Sequence, residues 1–153
     1  MIATVAPVKS GEVFDLNFEA TFEAVSAAGE SIAPALDQCF GEERGAQLRL
    51  GLVEALTNVV EHGCAGRTDG QVRLRAVAGP SQWCFTLFDN GTPIPHEALK
   101  RADGSVFDFN PDDTSALPEG GMGLSLILMV FDRVDYKVAP AGNQLMLSAY
   151  LKT

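Results

Sequence analysis

The segment from Glu42 to Gly63 carries the pattern that most restricts what this chain can become. Leu48, Leu52, Ala55, Leu56, Val59 and Val60 recur at i, i+4, i+7, i+8, i+11 and i+12, the spacing that lines one face of an α-helix. A helix with a single apolar face needs a second layer to cover it. The flanking sequence supplies that layer. Val13 to Phe18 alternates polar and apolar residues, as does Gln71 to Ala78, and after the turn signal Gly79-Pro80 the run Trp83 to Phe88 repeats the period. Arg133 to Val138 and Gln144 to Leu151 read as two further strands joined by a turn at 140–143. Phe22 to Cys39 is Ala-rich and reads as a helix weakened by Gly29 and Pro34, and Met122 to about Phe131 as another. The order is strand, two helices, two strands, long loop, helix, two strands. Short links imply antiparallel neighbours, and three helices require one sheet face to cover. The expectation is a two-layer α/β sandwich.

At 153 residues the chain has room for one domain, 1–153, whose core needs no disulfide or metal staple. Eleven Lys plus Arg against twenty Asp plus Glu leave a formal charge of −9. That balance repels phosphate backbones and anionic membrane surfaces, so direct nucleic-acid or membrane partners are not expected. The longest mostly apolar run, Leu124 to Phe131, falls far short of the roughly 20 residues that cross a bilayer. The opening MIATVAPVKSG lacks a basic-then-apolar leader. A cytoplasmic protein is expected. Cys39, Cys64 and Cys84 are odd in number and form no CxxC pair, which suggests neither a disulfide framework nor a zinc site.

Three polar motifs stand out. Glu54, Asn58 and His62 lie at i, i+4 and i+8 beside the apolar stripe of the second helix. The ordinary reading is a solvated helix edge; the chemical one is an amide oxygen for Mg²⁺ with a carboxylate base one turn away. Asp89-Asn90-Gly91-Thr92-Pro93 ends a strand. It is either a common turn or a carboxylate that accepts the exocyclic amino hydrogens of adenine beside a glycine that admits the base. Glu119-Gly120-Gly121-Met122-Gly123-Leu124 runs into the third helix. It is either a hinge or a set of unpaired helix N–H groups facing phosphate. No Walker or Rossmann glycine pattern is present. From Gly91 to Gly121 the chain is irregular and holds Pro93, Pro95, Pro111 and Pro118, the composition of a functional loop.

In order and type these motifs resemble the asparagine box and two glycine boxes of the GHKL ATPase superfamily, which includes histidine kinases, Hsp90 chaperones, DNA gyrase and MutL. The form Glu-Ala-Leu-Thr-Asn-Val-Val-Glu-His-Gly at 54–63 looks most like the anti-sigma-factor serine/threonine protein kinases, and the likeness extends from about Val13 onward. The resemblance implies a Bergerat α/β sandwich, a mixed and mostly antiparallel sheet with helices on one face. It implies ATP and Mg²⁺ as ligands, with Asn58 holding the metal and Glu54 taking a proton from a partner's hydroxyl. Asp89 and Gly91 would meet adenine, while Gly121, Gly123 and Leu124, and His62, would meet the phosphates. Residues 92–120 would form an ATP lid. Many relatives carry after the last glycine a Thr that helps contact adenine, where this chain has Asn143-Gln144 after Gly142.

The implied activity is phosphorylation of a STAS-domain anti-sigma-factor antagonist and sequestration of a sigma factor, by a homodimer. Two other readings remain at this point. One is a nonenzymatic ATP-binding anti-sigma or adaptor module, and the other is the catalytic domain of a split histidine kinase.

Overall fold

A computed structural model describes residues 4–5, 11–63, 69–93 and 121–151. A short strand β1 (Thr4–Val5) precedes β2 (Glu12–Glu19), α1 (Phe22–Phe40) and α2 (Glu42–Asn58). A π-helical turn, Val59–Gly63, extends α2 directly. Strands β3 (Gln71–Ala78) and β4 (Gln82–Asp89), helix α3 (Gly121–Val130) and strands β5 (Arg133–Ala139) and β6 (Gly142–Tyr150) follow. The strands lie side by side in the order β1-β2-β3-β4-β6-β5. Every pairing among the described residues is antiparallel, so the mixed sheet expected above is antiparallel throughout this part. Among the described residues the order of strands and helices read from the sequence holds, with β1 as an addition too short to leave a period; the expected long loop lies largely outside them.

Side-chain alternation divides the sheet into two faces. Leu16, Leu74, Phe85, Leu87 and Leu147 point into the core, where Ile32 and Leu36 of α1, Leu48, Leu52 and Leu56 of α2, and Ile127 of α3 meet them. The stripe that opened the sequence reading is therefore the buried face of α2, although Val59 is only partly buried. Phe131 closes the layer from the end of α3, its ring edge-on to Phe85 at 5.7 Å between centroids.

Thr21 caps α1, its Oγ1 accepting from the Ala24 N–H at 3.1 Å, which supplies one of the helix's unpaired donors with an acceptor. Pro34 sits inside α1 without ending it. Gly29 is buried, and a Cβ there would lie 2.8 Å from Val53 Cγ2. The residue that weakens α1 as an isolated helix is thus what lets α1 and α2 approach closely. Arg44, near the start of α2, pairs with Asp132 at 3.0 Å, and the same Asp132 oxygen accepts from the Tyr150 N–H at 2.7 Å. These bonds pin the beginning of α2 to the Tyr150 end of the sheet.

Leu52 is fully buried between α2 and the sheet. Leu52→Ala is expected to lower the unfolding free energy by about 2–5 kcal/mol, measured by urea denaturation followed by circular dichroism.

Candidate active site

The motif residues Glu54 and Asn58 lie on α2 beyond its pinned start. Glu54 and Asn58 follow Arg44 by about 15 and 21 Å along the helix axis, which carries them away from the Tyr150 end. Both are half-buried, and neither side chain has a hydrogen-bond or ion-pair partner among the described residues. Among the described residues the buried unpartnered side-chain atom is Arg44 Nε, so the polar atoms of Glu54 and Asn58, one turn apart, are open to solvent or to a ligand.

Asn58 is the last α-helical residue, and the π turn begins at Val59. A π turn takes an extra residue per hydrogen-bonded ring, so the straight i, i+4, i+8 line expected for Glu54, Asn58 and His62 bends after its second member. The backbone of His62 lies in that turn. π turns inside α-helices occur most often at functional sites.

Asp89 occupies the other end of β6 from Tyr150, because β4 and β6 pair with Asp89 opposite Asn143 and Gln82 opposite Tyr150. Its Oδ1 accepts from the Gly91 N–H at 2.8 Å and from Asn143 Nδ2 at 3.0 Å. The first bond is the turn chemistry expected of any Asp-x-Gly. The second is a cross-strand tie to a distant residue, and it distinguishes this turn from a generic one. Asn143 Nδ2 also donates to the Gly91 carbonyl at 2.9 Å. Asn90 holds the turn from the other side: its Oδ1 accepts from the Gln71 N–H at 3.0 Å and its Nδ2 donates to the Asp69 carbonyl at 3.2 Å. Asp89 Oδ2 has no protein partner among the described residues.

Gly142 makes this approach possible. Its φ is +139°, and a Cβ there would stand 2.6 Å from the Asp89 carbonyl oxygen. Strand parity puts Asp89 and Asn143 on the same face as Leu87 and Leu145, the face that α2 covers. A cleft of about 360 Å³ opens at this end, lined by Asn17, Arg73, Phe88 and Gln144 of the opposite face together with Asp89, Asn90, Gly142 and Asn143. There Arg73 pairs with the buried Asp15, donating from Nε at 2.8 Å and from a terminal nitrogen at 2.6 Å, while its guanidinium lies 5.5 Å from the Phe88 ring centroid.

Gly121, Gly123 and Leu124 form the first turn of α3, so the helix starts at Gly121, one residue earlier than its apolar pattern indicates. The N–H groups of a first turn have no intrahelical acceptor, and glycines keep Cβ atoms out of their way. Of the expected lid, 92–120, only Thr92 and Pro93 belong to the described residues; the remainder lies outside them. The structure thus ties Asp89, Gly91 and Asn143 into one bonded group, sets Glu54 and Asn58 on successive turns of α2, and places Gly121, Gly123 and Leu124 at a helix start. Asn143 is the residue whose contribution the motifs did not reveal.

The donor set suits a hard divalent cation that takes most of its ligands from elsewhere. No group of three or more His, Cys, Asp or Glu side chains clusters among the described residues. An uncommitted amide oxygen is what Mg²⁺ uses when phosphates and water complete its shell. No helix among the described residues is long and apolar enough to cross a membrane.

One antiparallel sheet with the described helices packed on a single face makes an α/β sandwich. Solved structures share the fold. The histidine kinase domain of the Erythrobacter litoralis EL346 blue-light activated histidine kinase superposes with a TM-score of 0.53 at 19% identity, over 83% of this chain and 61% of that one. The catalytic domain of histidine kinase ThkA gives 0.51 at 14% identity, over 70% and 68%. Residues 18–149 match the family described as Histidine kinase-like ATPase domain; the chain belongs to that family. Among curated relatives, the serine-protein kinase RsbW of Listeria monocytogenes serovar 1/2a is 30% identical over 95 residues, 62% of this chain and 59% of that protein. The anti-sigma F factor of Clostridium beijerinckii is 26% identical over 112 residues, 73% and 70%. The match therefore spans a little under three fifths of the RsbW chain. The resemblance to anti-sigma-factor kinases read from the asparagine box is borne out by both names.

Because Gly142 holds a backbone conformation that side chains rarely adopt, Gly142→Ala is expected to destabilise the fold by on the order of 1–3 kcal/mol. The loss would be read as a lower urea midpoint.

Proposed function

We propose that this protein is an ATP-dependent serine/threonine protein kinase that phosphorylates a STAS-domain anti-sigma-factor antagonist and sequesters a sigma factor. The observation that carries the reading is the pairing of two uncommitted features on the helix-covered layer: the free oxygen of an otherwise anchored Asp89, and the partnerless Glu54 and Asn58 on consecutive turns of α2. The name of the RsbW relative supports a serine-protein kinase activity, and that of the anti-sigma F factor relative supports a sigma factor as partner.

In this reading Asp89 accepts from the adenine amino group and Gly91 lies beside the base. Asn58 contributes its amide oxygen to Mg²⁺, which when bound neutralises phosphate charge. Backbone N–H groups of Gly121, Gly123 and Leu124, at the positive end of the α3 dipole, meet phosphate oxygens. His62 and residues 92–120 take the phosphate-side and lid roles that the family resemblance implies. Glu54 orients the acceptor hydroxyl and takes its proton as the oxygen bonds to the γ-phosphorus, while the bond from that phosphorus to the β–γ bridging oxygen breaks and ADP leaves. Phosphoryl transfer demands positioning and charge stabilisation more than covalent chemistry, so these groups are sufficient. The protein acts in the cytoplasm as a homodimer, a pairing supported by the sheet face that no described helix covers.

A nonenzymatic ATP-dependent binding module is the competing reading, and Glu54 separates the two. With labelled ATP, Mg²⁺ and a purified STAS-domain antagonist, Glu54→Gln should retain nucleotide binding while transfer falls about 10²- to 10⁴-fold. Equal transfer by Glu54→Gln would remove Glu54 as the base, and no transfer by the wild-type protein under ATP-binding conditions would favour the binding module. Asn58→Ala should lose the Mg²⁺-dependent part of ATP affinity, measured by calorimetry with and without the metal.

A further inference from the structure

We propose that Asn143 is a positioning residue for base recognition, fixing Asp89 so that a single carboxylate oxygen is left to select a purine bearing a 6-amino group. The inference rests on the reading of Asp89 as the acceptor for that group and assigns the specificity to a second residue.

Asn143 and Asp15 are the buried polar or charged side chains among the described residues, and Asn143 is 3% exposed. A buried amide is retained at a cost unless its hydrogens are used. Both are used here. Nδ2 donates one to Asp89 Oδ1 at 3.0 Å and the other to the Gly91 carbonyl at 2.9 Å. The amide's orientation is forced by its partners, because reversing it would set a carbonyl oxygen against two acceptors. Together with the Gly91 N–H bond to the same Asp89 oxygen, this closes a bonded triangle of Asp89, Gly91 and Asn143 that joins the end of β4, the following turn and the start of β6.

The triangle has a chemical consequence. Oδ1 of Asp89 receives two donors from the protein, and Oδ2 receives none among the described residues. A carboxylate free to rotate offers either oxygen; this one offers Oδ2. An ionised carboxylate only accepts, so a fixed oxygen takes an N–H of a 6-amino group and opposes the carbonyl that inosine or guanine carries at that position. A hydroxyl side chain at position 143 has one hydrogen to give and can hold either Asp89 or Gly91. The amide holds both.

The test compares dissociation constants for ATP and ITP, nucleotides that differ at the 6-position, in the wild-type protein and in Asn143→Ala, Asn143→Thr and Asp89→Asn, with thermal melts of each. The wild type should prefer ATP. In Asn143→Ala, ATP affinity should fall about tenfold, the equivalent of one hydrogen bond's net contribution, with ITP affinity changed far less, so the ATP/ITP ratio contracts. Asn143→Thr should fall between, and it carries the comparison if the alanine variant does not fold. A uniform loss for both nucleotides, or an unchanged ratio, in the Asn143 variants while Asp89→Asn abolishes the preference would overturn the role of Asn143 and leave the reading of Asp89 standing. An unchanged ratio in Asp89→Asn would overturn that reading and the proposal with it.

Discussion

The burial of one face of α2 against the sheet is the constraint on which the rest of the molecule depends. Leu48, Leu52 and Leu56 are each fully covered, and at roughly 1.5–3 kcal/mol per large apolar side chain this row contributes much of the free energy joining the two layers. Because α2 cannot roll without exposing the row, the residues bordering it cannot roll either. Glu54 and Asn58 owe their orientation to leucines that never meet a ligand. Gly29 serves the same end from α1, admitting Val53 where any larger residue would push the helices apart.

A chain of formal charge −9 that is to bind a nucleotide, itself anionic, meets a long-range repulsion that its sparse lysines and arginines do not offset. Its means of binding are short-range ones. In the proposed reading, helix N–H groups at the start of α3, the Asn58 amide oxygen and the Asp89 carboxylate act within hydrogen-bond distance, where geometry counts for more than net charge. Such groups work only if they are held in place. In that reading the buried hydrogen bonds of Asn143 count for more than a charge on the surface. The Asp15–Arg73 pair and its Phe88 neighbour stiffen the opposite face of the same strands.

Most of the fold could be read along the chain. Strands β2 to β6 and the three helices follow from period-2 and period-3.6 runs bounded by glycine and proline, and the start of β3 and its end at Ala78 agree with the alternation to the residue. The errors have local causes. A two-residue strand such as β1 has no period to detect. Pro34 and Gly29 weaken an isolated helix, yet burial of Ala28, Ile32 and Leu36 outweighs them. The turn at 59–63 has the same apolar spacing as an α-helix and differs only in its hydrogen-bonding ring, so the bend between Asn58 and His62 leaves no trace in residue types.

Sequence alone set the element types, the apolar face of α2 and the three motifs, because periodicity, turn chemistry and residue type are local properties. It left Asn143 as a departure from a family pattern with no visible partner. The tertiary structure decided that partner, since β4 and β6 are separated by more than fifty residues, and only their pairing puts Asn143 opposite Asp89. A hydrogen bond across such a separation depends on register, and register is fixed when the apolar faces of non-neighbouring strands pack on the same helices.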